Sequence, residues 1–249
     1  QKVTLPHCYN ASDSVDPDTP YYEGPAWYRT QLKIENPFEQ GRTLLFFEGA
    51  GQKTEVYVDQ EKVGSHVGGY DEFTIDITDA VNKYKQSSDF KKGSNDRIVK
   101  PGLVPVSIRC DNSRDVEMIP SDLSDFNLYG GIYRYLNLVY VPAVSFQRVH
   151  INTQRNENDW KVSVEGRFYN FSSGKDKVTA NVRILSPDGK EVLNSKKTLS
   201  ASQNKVALLD ANVKAPYLWS TDDPKLYRCI VELSTPYGNF RLNAVVATS

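Results

Sequence analysis

The chain has 249 residues, and its 30 basic and 31 acidic side chains leave a formal charge of -1, so no field of one sign draws it to nucleic acid or anionic lipid. It has no run of about 18 apolar residues, which excludes a membrane-spanning helix and leaves neutral, polyhydroxylated compounds as the better-suited partners. Its length allows one large or two ordinary domains, each with a sizeable core. Aromatics make up 11 % of the chain, led by 15 Tyr; strand-rich domains favour such rings and sugar sites use them, core packing being the simpler explanation. Cys8, Cys110 and Cys229 are odd in number and lack C-x-x-C spacing, so they read as isolated thiols rather than a zinc site or a disulfide framework.

In chain order, residues 27–34, 43–48, 54–58, 73–77, 104–109 and 132–141 alternate or are rich in β-formers and are predicted as strands. Asp59-Gln60-Glu61-Lys62 is polar enough to turn a hairpin at or near a sheet edge. Asp76 to Asp79 ahead of Ala80 to Tyr84 predicts one or two helical turns. Residues 85–101 carry little apolar content and read as an exposed insertion.

Pro142-Ala143 then separates a second series of strands at 144–153, 160–171, 177–185, 190–197, 206–213, 227–234 and 239–246. Seven short strands over about a hundred residues predict an immunoglobulin-like sandwich. Ser186-Pro187-Asp188-Gly189 and Thr235-Pro236-Tyr237-Gly238 supply hairpin turns. The stretch with Tyr217, Trp219, Pro224 and Tyr227 is expected to be a packed corner that buries its Trp. The expected division is therefore 1–141 and 142–249. A start at Gln1 without a signal pattern and an end directly after a strand-like run suggest a portion of a longer protein. Its localisation is not fixed by the sequons at Asn10 and Asn170; a periplasmic or extracellular parent fits.

The motif with most chemical content is Ser124-Asp125-Phe126-Asn127-Leu128-Tyr129-Gly130-Gly131. Asp125 can hydrogen-bond a hydroxylated ligand, Phe126 and Tyr129 can stack on a sugar face, and the diglycine permits a sharp approach to the next strand. Turn capping competes for Asp125. Other acids, Glu23, Asp71, Glu72, Asp115, Glu117 and Asp122, lack such a setting, so no second catalytic acid is identified. The glycines of residues 64–70 imply close approach of another strand more than of a ligand. Gly49-Ala50-Gly51-Gln52-Lys53-Thr54 departs from a phosphate loop at Gln52 and reads as a glycine-hinged connection. His7, His66 and His150 are scattered, without metal-ligand spacing, and there is no G-x-S-x-G elbow.

Leu5 to Asn10, Gly24 to Arg29, Leu45 to Gly49, Val56-Tyr57-Val58, Val63 to Tyr70 with Phe73, Asp76 to Thr78, Arg109 to Asn112 and Asp125 to Arg134 occur in one order. Together they resemble the sugar-binding domain of glycoside hydrolase family 2, over nearly all of residues 1–141. Leu218-Trp219-Ser220 with Asp223 to Tyr227 resembles the end of the family's immunoglobulin-like domain. The resemblance implies an all-β chain: a jelly-roll-like sandwich, then an immunoglobulin-like sandwich, with both catalytic glutamates in a (β/α)₈ barrel outside these residues. It implies the non-catalytic part of a retaining exo-glycosidase, β-galactosidase first, with β-glucuronidase and β-mannosidase as alternatives. Asp125 would contact hydroxyls of a β-linked galactoside, with Phe126 and Asn127 completing the substrate-binding set. No cofactor is implied for this portion; some members hold a cation beside the matching Asp. Some also place an Asn before Trp27-Tyr28-Arg29, where this chain has Tyr21-Tyr22-Glu23-Gly24. The implied partners are the barrel of the same parent and further copies in a homo-oligomer. A competing reading is a stand-alone carbohydrate-binding module gripping glycans through Trp27, Tyr70 or Phe126.

Overall fold

A computed structural model describes residues 1–13, 15, 18, 20–96, 98–119, 126–156, 159–170, 176–201 and 205–247. The chain divides into two compact units, Gln1–Pro37 with Arg42–Tyr140, and Phe38–Gly41 with Val141–Ser249.

The first unit contains β1 (His7–Cys8), β2 (Pro25–Leu32), β3 (Arg42–Phe47), β4 (Lys53–Val58), β5 (Glu61–Val67), β6 (Phe73–Asp76), α1 (Thr78–Lys85), α2 (Ser88–Lys92), β7 (Val104–Asp111), β8 (Gly131–Ile132) and β9 (Leu136–Val141). A four-stranded sheet β2-β7-β4-β5 and a three-stranded sheet β6-β3-β9 form its layers, and β1 pairs with β8. The period of two that marks strands also builds the core. In β7, Val104, Val106, Ile108 and Cys110 point inward while Pro105, Ser107 and Arg109 stay on the outer face. They meet Phe47, Val56, Ile77 and Ile132, all fully buried, and removal of this apolar area from water is the main force holding the layers together.

The hairpin predicted at Asp59 places β5 at the sheet edge. That β5 is itself a seven-residue strand was not expected, because Glu61, Lys62 and Ser65 make it polar. Gly64 fits because an added Cβ would lie 2.9 Å from Ile75, so the glycine admits a neighbouring strand's side chain. The predicted strand 132–141 is split. Residues 133–135 leave the ladder, and the Tyr133 hydroxyl donates to Gly69 O while Arg134 Nη1 donates to Glu48 O and Tyr70 O. Asp76 supports the predicted helix α1, its Oδ1 accepting from Thr78 N at 2.9 Å. The segment 85–101, expected to be an exposed insertion, instead forms α2 and a bridge between Ser94 and Val99. Ser87 Oγ caps α2 by accepting from Phe90 N, and Phe90 packs edge-on against Tyr84 at 6.2 Å, an apolar anchor that composition alone conceals.

The second unit contains β10 (Val144–Asn156), β11 (Asp159–Asn170), β12 (Lys177–Leu185), β13 (Glu191–Ser200), β14 (Val206–Lys214), β15 (Tyr227–Thr235) and β16 (Gly238–Val246). Sheets β10-β11-β14 and β13-β12-β15-β16 enclose Val164, Phe168, Val182, Cys229, Val231 and Leu233, the sandwich its strand spacing predicts. Both predicted turns join hairpins, β12 to β13 and β15 to β16. The corner at Trp219 differs from expectation. Trp219 bridges Pro224 but stays 37 % exposed. Polar contacts hold this corner rather than burial of the indole: Ser220 N donates to Asp223 O, Asp223 N to Ser220 Oγ, and Lys225 Nζ sits 5.1 Å over the Tyr217 ring.

Candidate functional site

Asp125 and the preceding residues 120–124 lie outside the described residues. The limb that follows them is described, and it is tightly held. Arg114 Nη2 donates to Phe126 O at 3.1 Å, while its Nε pairs with Glu23 at 2.9 Å. Leu128 O accepts from both Asn10 Nδ2 at 2.9 Å and Asn112 Nδ2 at 2.8 Å. Gly130 N donates to Asn10 Oδ1 and its carbonyl accepts from Tyr9 N, while Gly131 O accepts from Gly51 N at 2.9 Å. Five backbone groups held in this way leave the limb little freedom.

Asn112 is the hub of the network. Its Oδ1 accepts from Gly24 N and the Tyr9 hydroxyl, and its Nδ2 donates to Tyr22 O as well as Leu128 O. Strand β7 delivers it directly from the sheet, so the limb is tied to a rigid element. Gly130 permits the approach of Tyr9, since a methyl group there would overlap the tyrosine hydroxyl. Burial pushes the Tyr9 and Tyr133 phenols up, above their ordinary range, so both remain hydrogen-bond donors at neutral pH. Burial alone would raise the Asp111 carboxyl, yet hydrogen bonds from Ser113 and the charge of Arg109 hold it below its ordinary value.

The result is an alternation of buried and presented groups. Phe126 and Tyr129 are 52 % and 43 % exposed, whereas Leu128 and Gly130 are buried. Asn127, expected with Asp125 and Phe126 as a substrate contact, is only 8 % exposed; its Oδ1 accepts from Asn10 Nδ2, and its buried Nδ2 has no partner among the described residues. Gly69 admits the side chains of Gln52 and Tyr133, while Gly68 lies against those of Asp71 and His66. Of the other acids weighed from sequence, Glu23 is paired with Arg114, Asp71 with His66 and Asp115 with Lys53, while Asp122 lies outside the described residues. Among the described residues no three His, Cys, Asp or Glu side chains are grouped so as to hold a metal ion, and no helix is long and apolar enough to cross a membrane. Sequence reasoning missed Asn10 and Asn112 as the braces of the loop, although both lie in motifs it had singled out.

Two antiparallel β-sandwich units, the first presenting aromatic side chains on a braced loop, define a sugar-binding domain followed by an immunoglobulin-like domain. The chain belongs to glycosyl hydrolases family 2: residues 8–142 match the family's sugar binding domain and residues 144–240 match a second model of the same family. It is similar to the crystal structure of Parabacteroides merdae β-glucuronidase, at 46 % identity and a TM-score of 0.91 over 99 % of this chain and 30 % of that one. The apo structure of Bacteroides uniformis β-glucuronidase 3 is 47 % identical with a TM-score of 0.85, over 99 % and 30 % of the two chains. A β-galactosidase of Thermoanaerobacter pseudethanolicus is 27 % identical over 92 % of this chain and 28 % of its own length. The chain thus spans about 30 % of the solved relatives it matches.

Proposed function

We propose that this chain is the N-terminal, non-catalytic part of a retaining exo-glycosidase acting on β-glucuronides, and that its first unit lends a substrate-positioning loop to an active site on a following (β/α)₈ barrel. The braced limb from Phe126 to Gly131 carries this reading. The Asn10–Asn112 network fixes the limb that begins at Phe126, directly after Asp125 in the chain, and an ionised carboxylate at Asp125 would accept charge-assisted hydrogen bonds from sugar hydroxyls. Phe126 offers a stacking face, and Asn127 supports the loop from beneath. Two barrel glutamates would act as nucleophile and acid/base, and this portion needs no cofactor of its own. A cation beside Asp125 would reveal itself as turnover sensitive to chelation.

The 46 % and 47 % identities with β-glucuronidases, against 27 % with a β-galactosidase, favour the glucuronide over the galactoside expected from the motifs. β-Galactosidase specificity is the second reading. The full-length protein is expected to hydrolyse 4-nitrophenyl β-glucuronide with a higher kcat/KM than the matching galactoside; the reverse order overturns the glucuronide assignment. Asp125→Ala in that protein is expected to lower kcat/KM at least about a hundredfold, the loss of about 2.7 kcal/mol of transition-state stabilisation, with an unchanged melting temperature. Unaltered kinetics would remove Asp125 from the site.

A further inference from the structure

A second feature lies on the solvent face of the sheet β2-β7-β4-β5, away from residues 126–131 in sequence and outside their hydrogen-bond network. Strand register places Trp27 beside Arg109, and Arg29 beside Ser107, which in turn faces Tyr57. The Trp27 and Tyr57 rings lie 5.4 Å apart, tilted by 45°, and the indole is 48 % exposed. They flank a groove of about 780 Å³ whose polar lining includes Arg29, Gln60, Asp96 and Lys100, a size suited to a small ligand. The far wall is built rather than loose: Gln31 Nε2 donates to Ile98 O at 2.6 Å and Gln31 Oε1 accepts from Lys100 N at 2.9 Å. Arg29 has no ion pair among the described residues.

Two aromatic faces on the outside of a soluble sheet leave apolar area in water, and an unpaired guanidinium beside them offers a rigid fork of donors. A pyranose matches both, with apolar C–H faces for the rings and hydroxyl or carboxylate oxygens for the fork. We propose that this groove binds a stretch of a pyranoside chain as a second carbohydrate site, with one sugar ring on Trp27 and Tyr57 and its oxygens held by Arg29. This site is independent of the loop at Asp125 and of the reading that the parent is a glucuronidase.

Affinity electrophoresis of the full-length protein tests it, in gels containing hyaluronan as the uronate chain or barley β-glucan as the neutral one. Retardation by at least one polymer is expected, with Trp27→Ala and Tyr57→Ala each weakening the apparent Kd at least about tenfold. Arg29→Gln, which keeps both rings, is expected to abolish retardation by hyaluronan if carboxylates are recognised and to weaken that by β-glucan if hydroxyls are. Turnover of 4-nitrophenyl β-glucuronide by Trp27→Ala is expected to match the parent, which also shows that the variant folds. Mobility unaffected by either polymer, retardation unchanged in all three variants, or parallel loss of retardation and small-glycoside turnover would overturn the proposal. Failure of the glucuronidase reading alone, with retardation intact, would leave the groove assignment standing.

Discussion

Asn112 shows how one buried amide can set the geometry of a presented loop. Its four contacts reach residues 16, 88, 90 and 103 positions away, so no local pattern marks it, although the ordered motif from Arg109 to Asn112 drew attention to the place. Replacing Asn112 by Ala leaves the buried Gly24 N–H without this acceptor and takes away one of the two donors to Leu128 O and the donor to Tyr22 O. The expected cost is about 2–4 kcal/mol, read as a lower denaturant midpoint, with poorer turnover in the full-length protein because the loop loosens. The thiols make a separate case. Burial pushes Cys110 up to about 12 and Cys229 to about 11, against an ordinary value of about 8.5. Folding therefore favours the neutral thiols. That contribution is fully present below pH of about 8.5 and is lost as pH rises toward the folded values. At pH 8, iodoacetamide followed by mass spectrometry should label half-buried Cys8 first and Cys110 and Cys229 only after unfolding; equal rates would contradict their burial.

At the scale of elements, strands were legible where one face is buried, since alternation then reports the pleat directly. Strand β7 and all seven strands of the second unit were found within a few residues of their ends. Strand β5 escaped because edge strands carry polar side chains, and α2 escaped because a single Phe90 anchors it. The diglycine reads as supplying the φ freedom for a sharp entry into the next strand, which Gly131 uses at φ 123°, but the sequence does not say which side chain approaches Gly130. It is Tyr9, which follows β1 and donates its backbone N–H to Gly130 O at 3.1 Å. Gly130→Ala would drive a methyl into the Tyr9 ring, and the expected destabilisation is about 1–3 kcal/mol. A thermal melt indistinguishable from the parent would mean that Tyr9 can move aside and that the loop is less firmly held than its hydrogen bonds imply.

For the whole molecule, two separate cores and a family match over both units fit the proposal that this chain shapes substrate binding while the chemistry is performed elsewhere in its parent. The purified 249-residue chain is accordingly expected to show no turnover of 4-nitrophenyl β-glucuronide or galactoside above the uncatalysed rate. Turnover near that of the full-length protein would refute the reading that the catalytic glutamates lie elsewhere.

Sequence by itself determined the class of fold, the two hairpin turns of the second unit, the aromatic loop ending in Gly130-Gly131 and the family. Each depends on neighbours in the chain, through side-chain period, turn chemistry or the order of motifs. Tertiary structure alone decided that Asn10 and Asn112 brace the loop, that Asn127 faces inward, that Trp219 stays partly exposed, and that Trp27, Tyr57 and Arg29 share a groove. These outcomes depend on which strands lie side by side, and residues far apart in sequence meet only when burial of the apolar faces has put the sheets in place.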